Sequence, residues 1–117
     1  MHEFSICESV VRMALREARR AGVKDGRIRK VSVTIGMLRQ IMPEYMATAY
    51  SILTKGTAAE GSVLDIRVAP TTAKCAKCGW SGPVTVMDLQ CAGCGERDVE
   101  TTGGMELRLE NMEVEED

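Results

Sequence analysis

Four of the five cysteines stand in two pairs, and their spacing indicates a metal site. The first C-x-x-C pair is Cys75 and Cys78. The second is Cys91 and Cys94, and twelve residues separate the two pairs. Two thiolates on one tight turn can reach a single ion, and two such turns complete a tetrahedral set of sulfur ligands. Soft tetrahedral thiolates favour zinc, although an iron site uses the same ligands.

A glycine follows the second cysteine of each pair, at Gly79 and Gly95. Glycine adopts positive φ easily, so the backbone can curl around the sulfur and point amide N–H groups at it. Unmetallated thiols or a single redox pair would not require this repeated pattern. Because all four ligands come from the protein, we predict a closed, structural zinc site and no catalytic zinc.

The chain has one histidine, His2, which stands between Met1 and Glu3. A bulky second residue blocks removal of the first methionine, so we expect Met1 to keep a free α-amine. That amine, the His2 amide nitrogen and the His2 imidazole can form fused chelate rings, which suit nickel(II) or copper(II). Glu3 offers its backbone amide or its carboxylate. For these residues by themselves, a frayed terminus with an exposed histidine is the competing interpretation.

The composition indicates a small globular protein. The 117 residues include 15 Lys and Arg against 17 Asp and Glu, a formal charge of −2, which disfavours binding to nucleic-acid phosphates. We find neither a membrane-spanning stretch nor a secretory signal, so we expect a cytoplasmic protein. In a reducing compartment, cysteines serve metals or catalysis more often than disulfides.

Hydrophobic periodicity predicts a mixed order of helices and strands. A first helix is predicted from Glu3 to Ala21, and a second begins at Pro43 and ends before Gly56. A period-two alternation predicts strands over residues 30–35, 64–69 and 105–110.

These elements predict an α+β fold. We expect a three-stranded sheet covered by two helices, with an inserted four-cysteine module that is similar to a zinc ribbon. The sheet domain comprises residues 1–70 and is completed by residues 102–117 as third strand and acidic tail. The inserted zinc-binding domain comprises residues 71–101. A sheet needs about three strands or a covering helix to be stable, so the two flanking parts should combine.

The chain resembles the HypA/HybF family over essentially its full length, in the stretches Met1-His2-Glu3, Val31 to Gly36, Pro43-Glu44, the two C-x-x-C-Gly turns and Gly104-Met105-Glu106-Leu107. The resemblance implies a nickel metallochaperone that assists maturation of nickel-iron hydrogenases and, in some organisms, of urease. It also implies two partners, the GTPase HypB and the hydrogenase large-subunit precursor.

When the ligand positions of the family are carried over to this sequence, the resemblance implies that nickel binds Met1, His2 and Glu3. It places structural zinc on the four cysteines Cys75, Cys78, Cys91 and Cys94. The second turn reads Cys-Ala-Gly-Cys, where many members have proline after the first cysteine. Some members recruit a further histidine to nickel, and this chain has none, so any extra ligand must be oxygen, sulfur, water or a partner residue.

Two other function classes fit the sequence less well. The alternative is a zinc-ribbon adaptor that binds nucleic acid or protein partners. Nucleic-acid binding would require a basic stripe, but residues 71–101 hold three basic and four acidic side chains, and Trp80 is the only ring available for stacking. A thiol oxidoreductase using Cys75 and Cys78 has no further support, because the chain shows no phosphate loop, nucleophile triad or carboxylate pair. We therefore expect a protein that is not an enzyme.

Overall fold

The computed structural model describes residues 2–23 and 27–115. In chain order these residues form α1 (His2–Arg20), β1 (Arg27–Gly36), a 3-10 turn (Met37–Arg39), α2 (Pro43–Leu53), β2 (Val63–Ala69), β3 (Thr71–Lys74), β4 (Ser81–Val84), β5 (Glu100–Thr102) and β6 (Leu107–Glu115). The predicted α+β class is confirmed. Neither α1 nor α2 is long and apolar enough to cross a membrane.

The chain divides into two compact units. The first comprises Met1–Thr34, Ile41–Arg67 and Leu107–Asp117, and the second comprises Ile35–Gln40 and Val68–Glu106. The second unit thus contains the cysteine segment, a few residues on either side of it, and the distant stretch Ile35–Gln40.

Helices α1 and α2 pack against each other in the first unit. One apolar stripe of α1 is buried, as its 3.6-residue period predicts, and comprises Ile6, Cys7, Val10, Val11, Ala14 and Ala18. The facing stripe of α2 is Met46, Ala49 and Tyr50. Pro43 is the first residue of α2, as predicted, because its fixed φ suits the first helical turn.

The first sheet has the strand order β2-β1-β6, with β1 in the middle. Val31, Val33 and Ile35 are buried, as their alternation predicts. Lys30 alternates with them and lies 3.8 Å from the carboxylate of Asp65 on β2. Strand β1 therefore has one buried apolar face and one face that carries a charged side chain.

Strand β6 begins and ends later than the sequence pattern predicts. Gly103 and Gly104 both have positive φ, so the chain turns there and extended pairing starts only at Leu107. The predicted acidic tail continues the strand as far as Glu115, because Met112 and Val114 are half-buried between exposed residues. The last two residues lie outside the described part of the chain.

The second unit contains a small antiparallel sheet in the order β4-β3-β5. Thr71 pairs with Val84, and Lys74 lies opposite both Ser81 and Glu100. This sheet was not predicted. It sets the position of Cys75, which directly follows β3.

Backbone hydrogen bonds join Ile35–Gln40 to the stretch that follows the cysteine segment. The Gly36 N–H donates to the Glu106 carbonyl, and the Leu38 N–H donates to the Gly104 carbonyl, both at 2.8 Å. The Arg39 Nε donates to the Met105 carbonyl at 2.9 Å. These bonds explain why Ile35–Gln40 belongs to the second unit.

Candidate metal centres

The four paired cysteines meet at one point of the second unit. Their sulfur atoms all lie within 4.8 Å of one another. The Sγ atoms of Cys75 and Cys94 are 3.7 Å apart, and those of Cys78 and Cys91 are 3.4 Å apart. A zinc ion bound tetrahedrally at about 2.3 Å from each sulfur requires sulfurs about 3.8 Å apart. The spacing therefore fits a tetrahedral thiolate site.

Two turns with the same backbone hydrogen bonds present these sulfurs. In the first turn the Cys75 N–H donates to the Trp80 carbonyl at 2.8 Å, and the Gly79 N–H donates to the Cys75 carbonyl at 2.9 Å. The second turn repeats both bonds at the same distances, in Cys91, Gly95 and Glu96. Gly79 and Gly95 have φ of 83° and 79°, as predicted.

Amide N–H groups point at the sulfur of Cys91. Those of Gly93 and Cys94 lie 3.2 and 3.3 Å from it. Burial raises the pKa of Cys91, but the Cys94 N–H, the Cys78 thiol and the Gly93 N–H outweigh burial and lower the pKa to about 7. The site is therefore built to stabilise negative sulfur.

Cys78 shows the opposite pKa shift. The Trp80 N–H lowers the pKa of Cys78, but the Cys91 sulfur, burial and the other two thiols raise it to about 12. Repulsion between neighbouring thiolates opposes the ionisation of several sulfurs at once. A cation bound between them would offset this repulsion and favour the thiolate form.

Side chains near the cysteines make two further contacts. Lys77 Nζ of the first turn lies 3.6 Å from a carboxylate oxygen of Glu96 in the second. Trp80 packs against Gly82, where a Cβ would lie 2.8 Å from the indole ring. Trp80 is half-buried next to the first turn, which makes it an optical probe of this site.

The second candidate centre lies at the start of α1. Helix α1 begins at His2, whose side chain is 53% exposed, and the Ser5 hydroxyl donates to the His2 carbonyl. Glu3 is 5% exposed, and its Oε1 lies 3.6 Å from His2 Nδ1. Met1, the third predicted ligand, lies outside the described residues.

The Glu3 carboxylate also contacts the second helix. Its Oε2 accepts a hydrogen bond from the Met42 N–H at 3.1 Å. Met42 is the N-cap residue of α2, and its own side chain makes no capping bond. Sequence reasoning did not find this contact. Pro43 marks the N-cap position, but no local pattern links it to a residue 39 positions earlier.

Cys7 does not belong to the four-cysteine cluster. It is fully buried, and its sulfur lies 3.8 Å from the Met46 carbonyl. Burial raises the pKa of Cys7 to about 11. The thiol is therefore a neutral part of the core.

Comparison with known proteins identifies the family. A family model described as hydrogenase/urease nickel incorporation, metallochaperone, HypA matches residues 1–114. The hydrogenase maturation factor HypA of Acidithiobacillus ferrooxidans is 35% identical over 115 residues, which cover 98% of this chain and all of that protein. The HypA of Methylocella silvestris is 37% identical over the same shares.

Solved structures show the same fold. The solution structure of the Ni metallochaperone HypA from Helicobacter pylori matches with a TM-score of 0.65 and 21% identity, over 98% of both chains. A second solution structure of a HypA protein matches with a TM-score of 0.64 and 23% identity, over 97% of this chain and 95% of that one. From the family model and the relatives, this chain belongs to the HypA family of hydrogenase maturation factors.

Proposed function

We propose that this protein is a nickel carrier that binds Ni(II) through Met1, His2 and Glu3 and delivers it to a nickel-iron hydrogenase during maturation. The observation that carries the proposal is the family match, which begins at residue 1 and includes this terminus. The α-amine, the His2 amide and the His2 imidazole supply nitrogen ligands that suit tetragonal Ni(II).

The position of the site fits a carrier that must release its cargo. His2 is the first residue of α1 and is half-exposed, so a ligand from a partner can approach the ion. Stepwise exchange of chelate nitrogens for partner ligands would then transfer the ion without unfolding the protein. No covalent chemistry is required, so the proposed function is not enzymatic.

We assign zinc to the sulfur cluster of Cys75, Cys78, Cys91 and Cys94. Sulfur spacing close to a tetrahedron and amide donors to Cys91 support this choice. Zinc would neutralise the four thiolates and hold the two turns together. Protein sulfurs would fill its coordination sphere and leave no open position for catalysis.

We propose a HypB-type GTPase and the hydrogenase large-subunit precursor as partners, in the cytoplasm. The family description also includes urease, so a urease precursor is a second possible recipient. A reducing compartment would keep the four paired cysteines available as metal ligands.

Metal analysis of the untagged, full-length protein tests the proposal. We expect one zinc as purified and one further nickel after addition of Ni(II). His2→Ala should lose the nickel and keep the zinc, whereas Ser9→Ala, on the same helix, should keep both. Nickel uptake by His2→Ala equal to that of the wild type would contradict the proposed site.

A further inference from the structure

The carboxylate of Glu3 is unusual among the acidic side chains of the described residues. It is 5% exposed, and no other Asp or Glu of residues 2–23 and 27–115 is buried. A buried charge is costly unless hydrogen bonds satisfy it. Its contacts should therefore explain why it is buried.

Both carboxylate oxygens of Glu3 have close neighbours. Oε2 accepts the Met42 N–H at 3.1 Å, and Oε1 lies 3.6 Å from His2 Nδ1. The Met42 N–H thus satisfies one oxygen of the buried carboxylate, and the His2 imidazole lies next to the other.

The Glu3 carboxylate provides a hydrogen-bond acceptor that the start of α2 otherwise lacks. The first N–H groups of a helix have no partner within the helix, and an N-cap side chain usually accepts one of them. Met42 has no side-chain oxygen and makes no such bond. The Glu3 anion instead accepts the N–H of the N-cap residue and lies at the positive end of the α2 dipole.

We propose that Glu3 acts in nickel binding as a positioning residue, whose carboxylate ties the first turn of α1 to the start of α2, and not as a carboxylate ligand. This inference rests on the proposed nickel site. The tie holds His2 next to a fixed anchor, so the imidazole loses less conformational freedom when it binds the ion. The sequence left open whether Glu3 offers its backbone amide or its carboxylate to nickel. The contacts of the carboxylate with Met42 and His2 favour a positioning role for the side chain.

Three variants of the full-length, zinc-loaded protein test the proposal. Glu3→Ala removes the acceptor, and Glu3→Gln keeps an oxygen that can accept the Met42 N–H. Glu8→Ala removes an exposed carboxylate from the same helix and is the matched control. The measurements are exchange of the Met42 amide by NMR, nickel affinity by calorimetry and the visible spectrum of the nickel complex.

We expect Glu3→Ala to speed exchange of the Met42 amide about fivefold, which corresponds to the typical free-energy cost of losing a helix cap. Nickel affinity should fall in parallel. Glu3→Gln should restore most of both losses and keep the wild-type absorption bands. Glu8→Ala should resemble the wild type in Met42 exchange.

Two results would overturn the proposal. Equal loss of nickel affinity in Glu3→Gln and Glu3→Ala, with shifted absorption bands in both, would make the carboxylate a ligand. An unchanged rate of Met42 amide exchange in Glu3→Ala would show that the Glu3 carboxylate does not hold the start of α2. Failure of the wild type to bind nickel would instead refute the proposed function, and Met42 exchange would still report on the tie.

Discussion

At the scale of single residues, environment decides what each thiol does. Cys7 and Cys91 are both buried, but amide N–H groups surround the sulfur of Cys91, whereas the sulfur of Cys7 lies within the apolar core. The pKa of Cys91 therefore falls to about 7, and that of Cys7 rises to about 11. One residue type thus provides a candidate metal ligand in one unit and a core side chain in the other.

Cys7 should resist alkylation in the native protein. At pH 8 a thiol with a pKa near 11 is about one part in a thousand thiolate, and the sulfur is inaccessible. Mass spectrometry after brief iodoacetamide treatment should find Cys7 unlabelled, with the urea-unfolded protein as control. Rapid native labelling of Cys7 would contradict its buried position.

The same thiol should make stability fall at high pH. Its pKa is raised on folding from the ordinary value of 9.0, so the folded protein holds this proton more tightly than the unfolded chain. The contribution is complete below pH 9 and is lost as the pH rises towards 11. Urea unfolding of wild type and Cys7→Ala at pH 8 and 10 should show a steeper loss for the wild type, and equal losses would contradict this.

Gly36 should tolerate no side chain. A Cβ there would collide with the backbone of Gly104 and Met105, which cannot move without breaking the bonds from Gly36 and Leu38. We expect Gly36→Ala to lower the free energy of unfolding by about 3 kcal/mol in urea titrations. Gly61→Ala has open space and only the strain of positive φ, so it should cost about 1 kcal/mol. Similar losses of unfolding free energy in the two variants would argue against the close contact of Gly36 with the backbone of Gly104 and Met105.

At the scale of elements, long periodic segments were predictable. Helix α1 was predicted from Glu3 to Ala21 and runs over His2–Arg20, and the start of α2 at Pro43 was predicted correctly. Their apolar stripes and end signals are local, so the sequence shows them directly. The central strand was also found from its alternation.

The short strands of the second unit could not be predicted. Strand β3 reads Thr-Thr-Ala-Lys and β5 reads Glu-Thr-Thr, which carry no apolar alternation. The buried face of β3 consists of Thr71 and Ala73, which are too small and too few to show a hydrophobic period of two in the sequence. The Glu3 to Met42 bond was missed for a related reason, because a contact between distant residues leaves no local pattern.

Helix α2 should gain stability from a capping side chain. Met42 has extended φ and ψ, makes no side-chain cap and is 46% exposed, so serine fits this position. We expect Met42→Ser to raise the free energy of unfolding by about 0.5–1 kcal/mol relative to Met42→Ala, measured by urea titration. An equal or lower value would show that a serine hydroxyl at this position does not cap the helix.

At the scale of the whole molecule, the two units depend on different forces. The first buries apolar stripes of α1, α2 and β1, whereas the second has few buried apolar side chains and a cluster of four thiols. Structural zinc contributes on the order of 10–16 kcal/mol in comparable small peptides. The second unit should therefore depend on metal for its fold.

Metal removal should unfold the second unit selectively. A strong chelator, or Cys94→Ser, should shift the emission of Trp80 to longer wavelength while the helical circular dichroism of α1 and α2 persists. Cys7→Ser should keep its zinc and its native emission. Unchanged Trp80 emission after confirmed zinc loss would contradict a metal-dependent fold.

Nickel titration of a native and an extended N-terminus tests the central claim most directly. The extension should be Gly-Ser-Gly ahead of Met1, since a single added residue would move His2 to third position and create another amine–amide–imidazole chelate. Mass spectrometry must first establish that Met1 is retained in the native form. We predict that the native form binds one nickel and that the extended form loses this binding while its zinc content stays the same. Equal nickel affinity in both forms would contradict a site built on the terminal amine.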